Sequence, residues 1–138
     1  MRIAIINGPN LNTLGKREPA LYGETPFETF LAGLQRQYPQ NPITFFQSND
    51  EGVMVTALQQ AGKDCNAVIL NAGAYTHTSL AIADAVRSLD IPVIEVHLTH
   101  IFAREAFRHR SYLTPVCKGL IAGLGLDGYR LAVEHLIR

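Results

Sequence analysis

"RIAIINGPN", residues 2–10, holds an apolar, isoleucine-rich run of a few residues and then breaks on Asn, Gly and Pro. A run that short without polar alternation suits a strand covered on both faces, as in a parallel sheet. The reading places strand one at Arg2–Ile6 and a turn after it. Working outward, each later apolar run is equally brief, and helix-starting chemistry separates one from the next. In "TPFE", residues 25–28, Thr25 is placed as N-cap, Pro26 at the first helical position and Glu28 as the closing member of a capping box. Phe27, Phe30, Leu31, Leu34 and Tyr38 then recur at helical spacing until Pro39.

The pattern repeats. Ile43–Gln47 reads as strand two, "SNDE" as a second capping box from Ser48 to Glu51, and the helix it opens is expected to stop near Gly62. Ala67–Leu70 is strand three, residues 79–89 are a helix, and Pro92 sets the start of strand four, "VIEVHL", residues 93–98. Residues 119–123 are strand five, and Tyr129, Ala132, Val133 and Leu136 form the apolar stripe of a closing helix. Strands alternating with helices over 138 residues predict an α/β protein, one domain spanning 1–138. The expected architecture is a flavodoxin-like, doubly wound sheet of five parallel strands ordered 2-1-3-4-5.

Composition narrows the partners. Twelve Lys and Arg balance twelve Asp and Glu, so no whole-molecule field draws the chain toward DNA or an anionic membrane. No apolar stretch approaches the roughly 20 residues of a membrane span, and the opening apolar segment is too short for a secretory signal. A cytoplasmic protein is expected. Cys65 and Cys117 lack C-x-x-C spacing and ligand neighbours, which predicts free thiols and no metal site.

In doubly wound sheets ligands bind beyond the carboxyl ends of the strands, at the switch point between strands one and three. Polar residues gather there: Asn7, Asn10 and Asn12 after strand one, Asn71 in "NAGAYTHTS" after strand three, and His97 at the end of strand four. Any one asparagine is an ordinary turn residue, but the set marks a site. Glu95 and His97 lie two apart and share one face of a buried strand. They are either a satisfied structural pair or an imidazole whose tautomer the carboxylate sets so that the other nitrogen moves a proton. Arg104 and Arg108, four apart, would share a face of a short helix, either as a solvated edge or as a clamp for a carboxylate.

Two features are set aside. "GLGLDG", residues 123–128, fits G-x-G-x-x-G, but only ten residues follow, too few for the rest of a dinucleotide unit, so the glycines are expected to serve a tight turn and close packing. Cys117 has no base beside it in the sequence and reads as a buried small residue.

"GKREPALYGETP", residues 15–26, sets Tyr22 in a loop among Lys16, Arg17 and Glu18. A tyrosine becomes a competent base only as its phenolate, which burial opposes and cations favour. One charge about 6 Å away at an effective dielectric of about 20 contributes roughly 3 kcal/mol, or about two pKa units. Arg17, Arg104 or Arg108 could supply it; the alternative is a loop tyrosine packed on its neighbours. A base, a carboxylate-supported imidazole, guanidiniums and asparagine donors together suggest proton abstraction next to a carbonyl in a small acid, with departure of a protonated group.

"INGPNLNTLGKREPALYG", "NAGAYTHTS", "IEVH" with "AREAFRHRSY", and "GLGLDGY" closely resemble the type II 3-dehydroquinate dehydratases, in the same order and over essentially the whole chain. The resemblance implies a flavodoxin-like fold and the anti elimination of water from 3-dehydroquinate through an enolate, giving 3-dehydroshikimate without metal or cofactor. It implies Tyr22 as the base, Arg17 as the cation beside it on a mobile lid of about residues 10–24, and Arg104 as added positive potential. Asn10 would hold the water that stabilises the enolate oxygen, His97 would protonate the departing hydroxyl, and Glu95 would orient His97. Asn71, His77 and Arg108 would hold substrate hydroxyls, and the NH groups of Leu98 and Thr99 its carboxylate. Asp84 would reach a neighbouring subunit's site in a homododecamer of four trimers. Ala74, Thr99 and His100 depart from the residues usual in the family, and His100 adds an ionisable group at the site's edge.

Rival readings are weaker. A module binding FMN or a phosphorylated ligand needs a phosphate-cradling Ser/Thr/Gly loop after strand one, where "NGPNLNTLGKREP" has proline, charge and one threonine. A response regulator needs an aspartate where Asn71 stands. A hydrolytic pair could use His77 and Ser79, without an evident orienting group.

Overall fold

Five parallel strands, β1 (Ile3–Asn7), β2 (Ile43–Gln47), β3 (Ala67–Asn71), β4 (Val93–His97) and β5 (Gly119–Ala122), form one sheet in the order β2-β1-β3-β4-β5. The structure is a computed structural model describing residues 1–138. Class, strand count and order are those expected from the alternation. Every residue of β1, β3 and β4 is buried, as strands covered on both faces require.

The helices are α1 (Pro19–Tyr22), α2 (Phe27–Gln37), α3 (Glu51–Asp64), α4 (Leu80–Arg87) and α5 (Asp127–Leu136). One face of the sheet packs Ile3, Ile5, Ile69, Ile94 and Val96 against Phe27 and Leu34 of α2 and Tyr129, Val133 and Leu136 of α5. The other packs Ala4, Ile6, Val68, Leu70 and Val93 against Met54 and Leu58 of α3 and Ile82 and Val86 of α4. Each fully buried aliphatic or aromatic side chain contributes about 1.5–3 kcal/mol, which is why the central strands are apolar at both alternate positions. No helix is long and apolar enough to cross a membrane.

Several local expectations are corrected. Thr25 does not cap α2: Pro26 is the N-cap, extended at φ −61° and ψ 146°, and no side chain bonds to the helix start. The Ser48–Glu51 box is also absent. Asp50 caps α3 by accepting from the Val53 NH at 2.9 Å, while Ser48 Oγ accepts from the Asp50 NH at 3.0 Å and shapes the preceding turn. Helix α3 runs through Gly62, where a Cβ would come within 2.8 Å of Leu89, so this glycine admits a neighbour rather than ending the helix. Residues 79–89 contract to α4, capped by Ser79 Oγ accepting from the Ile82 NH at 2.9 Å. Tyr22 ends a one-turn helix instead of lying in a loop, and the single helix expected around Arg104 and Arg108 is two separate 3-10 turns, Ile101–Ala103 and Ala106–His109.

The glycines of residues 123–128 do what a tight turn needs. Gly123 and Gly125 have φ of 88° and 60°, and a Cβ on Gly128 would lie 3.2 Å from Val96.

Candidate active site

Strands β1 and β3 end in register, Asn7 beside Asn71, which creates the switch point at their carboxyl ends. The two chains leave it almost in contact. The Gly8 NH donates to the Asn71 carbonyl at 2.7 Å, and a Cβ on Gly8 would sit 2.5 Å from the Ala72 carbonyl oxygen. Gly73, at φ 59°, faces the Pro9 carbonyl in the same way at 3.1 Å.

A pocket opens above these ends, lined by Asn10, Arg17, Tyr22, Asn71, His77, His97, Leu98, Thr99, Arg104 and Arg108. Thus residues spread over nearly 100 positions of sequence meet in one place. A larger, mostly apolar groove of about 760 Å³ lies elsewhere, between β2 and α3, and holds none of them. Chemistry, not volume, selects the candidate site.

Its floor is β4. Glu95 is fully buried, and its Oε2 lies 2.5 Å from Nε2 of His97, which is 5 % exposed. With Nε2 committed to the carboxylate, the Nδ1 of His97 has no partner in the chain. His77 stacks alongside, ring centroids 6.3 Å apart and planes 22° apart, and its Nδ1 is 2.7 Å from the Arg110 carbonyl. A carbonyl only accepts, so Nδ1 of His77 carries the proton and Nε2 is left as acceptor. Burial holds the His77 pKa below its ordinary value; the Arg110 carbonyl opposes this, while His97 and Arg108 add to it.

Two cations meet the tyrosine. The Arg17 guanidinium carbon lies 4.4 Å from the Tyr22 ring centroid and that of Arg104 lies 5.5 Å away. Arg104 also donates to Thr99 Oγ1 at 3.0 Å, fixing it at the end of β4. Arg108 pairs with Glu105 at 3.0 Å. The NH groups of Leu98 and Thr99 donate to no acceptor in the chain. Free NH groups flanked by arginines make a place for an anion.

Asn10 stands at the rim in the left-handed region, φ 69°, with its NH on Asn49 Oδ1 at 3.0 Å. Asn71 is already engaged: its amide nitrogen donates to the Tyr129 hydroxyl at 3.0 Å and its Oδ1 accepts from the Gly73 NH at 3.2 Å. The buried Tyr129 hydroxyl in turn donates to Asn7 Oδ1 at 2.8 Å. One proton and one lone pair of the Asn71 amide remain for a ligand. His100 is exposed, outside the pocket, beside a second cavity with Tyr22, Gly123 and Leu126. Ala74 lines the main pocket.

Asp84 does not join this site. It lies exposed on α4 and pairs with Arg87 at 2.7 Å, a surface contact of small energetic weight. Ser79 is committed to capping α4 and His77 to a carbonyl, so the hydrolytic pair is not assembled. Burial, with the Glu95 charge nearby, pushes the Cys117 thiol up to about 12, which leaves it protonated and unreactive at neutral pH.

Sequence reading missed Thr114, whose hydroxyl donates to Glu95 Oε1 at 2.6 Å, and the polar role of Tyr129, which had been read only as part of an apolar stripe. No periodicity links Thr114 to a strand 19 residues earlier.

Residues 1–137 match the family model described as Dehydroquinase class II. The chain is 51 % identical to a 3-dehydroquinate dehydratase of Exiguobacterium sp., over 99 % of this chain and 94 % of that protein. Among solved structures, a type II dehydroquinase from Butyrivibrio crossotus superposes with a TM-score of 0.96 at 41 % identity, covering 100 % of this chain and 98 % of that one. The type II dehydroquinase from Propionibacterium acnes gives 0.94 at 42 % identity, covering 98 % and 94 %.

Proposed function

The chain belongs to the class II dehydroquinases, and from that premise we propose that it dehydrates 3-dehydroquinate to 3-dehydroshikimate with Tyr22 as base and His97 as acid. The observation that carries this reading is the meeting, in one pocket, of a tyrosine packed against two guanidiniums and a histidine backed by a buried carboxylate. The tyrosine phenolate takes the proton α to the ketone, and the electron pair moves onto the carbonyl oxygen as an enolate. Arg17 and Arg104 favour the negative charge on the phenolate that must precede this step. The enolate then expels the β-hydroxyl, which takes a proton from His97 and leaves as water. Glu95 stabilises the imidazolium form from which that proton comes.

The anion site is assigned to the substrate carboxylate, held by the NH groups of Leu98 and Thr99. Arg108, Asn71 and His77 bind its hydroxyls, and Asn10 holds a water on the enolate oxygen. No cofactor enters the scheme. Residues 10–24 act as the lid that brings Arg17 and Tyr22 over the substrate. That segment suits a moving part: α1 has four residues and buries none of them, too little to hold a helix rigid. Two free cysteines fit a reducing, cytoplasmic setting.

The direct test mixes chelator-treated protein with 3-dehydroquinate and follows the ultraviolet absorbance of the conjugated enone. Turnover that survives chelation is expected; folded protein that yields no enone would overturn the reading. For Asp84 the proposal is contact with the site of an adjoining copy, in an assembly of four trimers. Light scattering should then return a dodecamer, and a fully active monomer would sink this part of the proposal.

A further inference from the structure

Glu95 sits in the middle of the sheet, between Leu70 of β3 and Leu120 of β5, with no arginine or lysine paired to it. A carboxylate in such a place is costly unless both oxygens are filled. His97 Nε2 fills Oε2 at 2.5 Å, and the Thr114 hydroxyl fills Oε1 at 2.6 Å. A hydroxyl has a single proton to donate. Its donation to Oε1 means that this oxygen carries no proton, so the proton shared by Glu95 and His97 lies on the line between Oε2 and Nε2.

We propose that Thr114 is a positioning residue for proton delivery: by occupying one oxygen of Glu95 it reserves the other for His97 and so presents Nδ1 of the imidazole to the pocket. This rests on the reading of His97 as the acid. Thr114 is itself held in place. Its NH and that of Leu113 both donate to Ser111 Oγ at 3.0 Å, and Leu113 is fully buried. The same stretch supplies the Arg110 carbonyl that sets the tautomer of His77, and its Tyr112 NH bonds the Thr76 carbonyl at 3.0 Å. Residues 110–114 therefore brace both imidazoles of the site at once, one through a backbone oxygen and one through a carboxylate.

The ionisable groups facing the Glu95–His97 pair are His77 from residues 73–77, Cys117 beyond the 114–116 turn, and Arg17, Tyr22, Arg104 and Arg108 across the pocket. Residues Leu70 and Leu120 of the flanking strands add none.

Thr114→Val keeps the shape and removes the donor; Thr114→Ser keeps the donor and removes a methyl group. With purified variants and 3-dehydroquinate, the valine variant should lose about tenfold or more in kcat with KM changed less than about twofold, the pattern of an interaction made in the transition state. Its alkaline limb should move to higher pH, because a carboxylate deprived of its donor is more basic and holds the proton it shares with the imidazole more tightly. The serine variant should recover most of the loss. A valine variant with wild-type kcat and pH limb would overturn the proposal. So would equal losses in both variants with a lowered melting temperature, since that is a packing effect. His97→Asn runs in parallel: if it keeps full activity, the acid reading itself fails, whatever Thr114 does.

Discussion

Replacement of Tyr22 by phenylalanine is expected to lower kcat by about 10²- to 10⁴-fold, the range supplied by a positioned base. The substitution removes one oxygen and leaves the ring, so the Arg17 and Arg104 contacts at 4.4 and 5.5 Å survive. Neither fold nor substrate affinity should change much, and KM should stay within a few-fold. The α-proton of 3-dehydroquinate should also stop exchanging with deuterium oxide, which proton NMR of the substrate reads directly. Retention of more than about a tenth of wild-type kcat would remove the tyrosine from the base role.

The second large effect concerns the acid. His97→Asn should cost a similar factor in kcat, because an amide can hydrogen-bond to the departing hydroxyl but cannot protonate it. Here the two variants part company. With Tyr22 intact the enolate can still form, so the asparagine variant should continue to exchange the α-proton while producing almost no enone. Loss of exchange in a folded His97→Asn protein would assign His97 to the first step instead of the second. A thermal melt belongs with this experiment, since Glu95 is fully buried and loses its nearest partner.

Much of the fold could be read from the chain because its signals are local. Brief apolar runs such as Ala67–Leu70 are of strand length and bounded by turn residues, which favours buried strands, and β3 lies at Ala67–Asn71. The helix starts were harder, for a physical reason: Thr25 and Ser48 sit near helices and carry the right oxygens, yet the turn geometry gives the cap position to Pro26 and Asp50. Arg104 and Arg108 illustrate a different limit. The helical spacing invoked for them does not exist, but both still line the pocket, because the chain after β4 has to pass the strand ends. Glu95 and His97 were legible as a pair since strand geometry puts residues two apart on one face. Thr114 was not, because its contact depends on how the chain returns between β4 and β5. The Arg110 carbonyl could not have been found at all, since every residue carries one.

The near-contact of Gly8 with Ala72, and of Gly73 with Pro9, has a consequence for anyone who would reshape this pocket. The loops after β1 and β3 are cut to each other's backbone outline, so neither can be exchanged for a loop from another scaffold unless its counterpart travels with it. The walls formed by residues 17–22 and 98–108 meet through side chains instead, the Arg104 guanidinium carbon 5.5 Å from the Tyr22 ring centroid, so a substitution on one wall is felt by the other without either backbone having to be replaced.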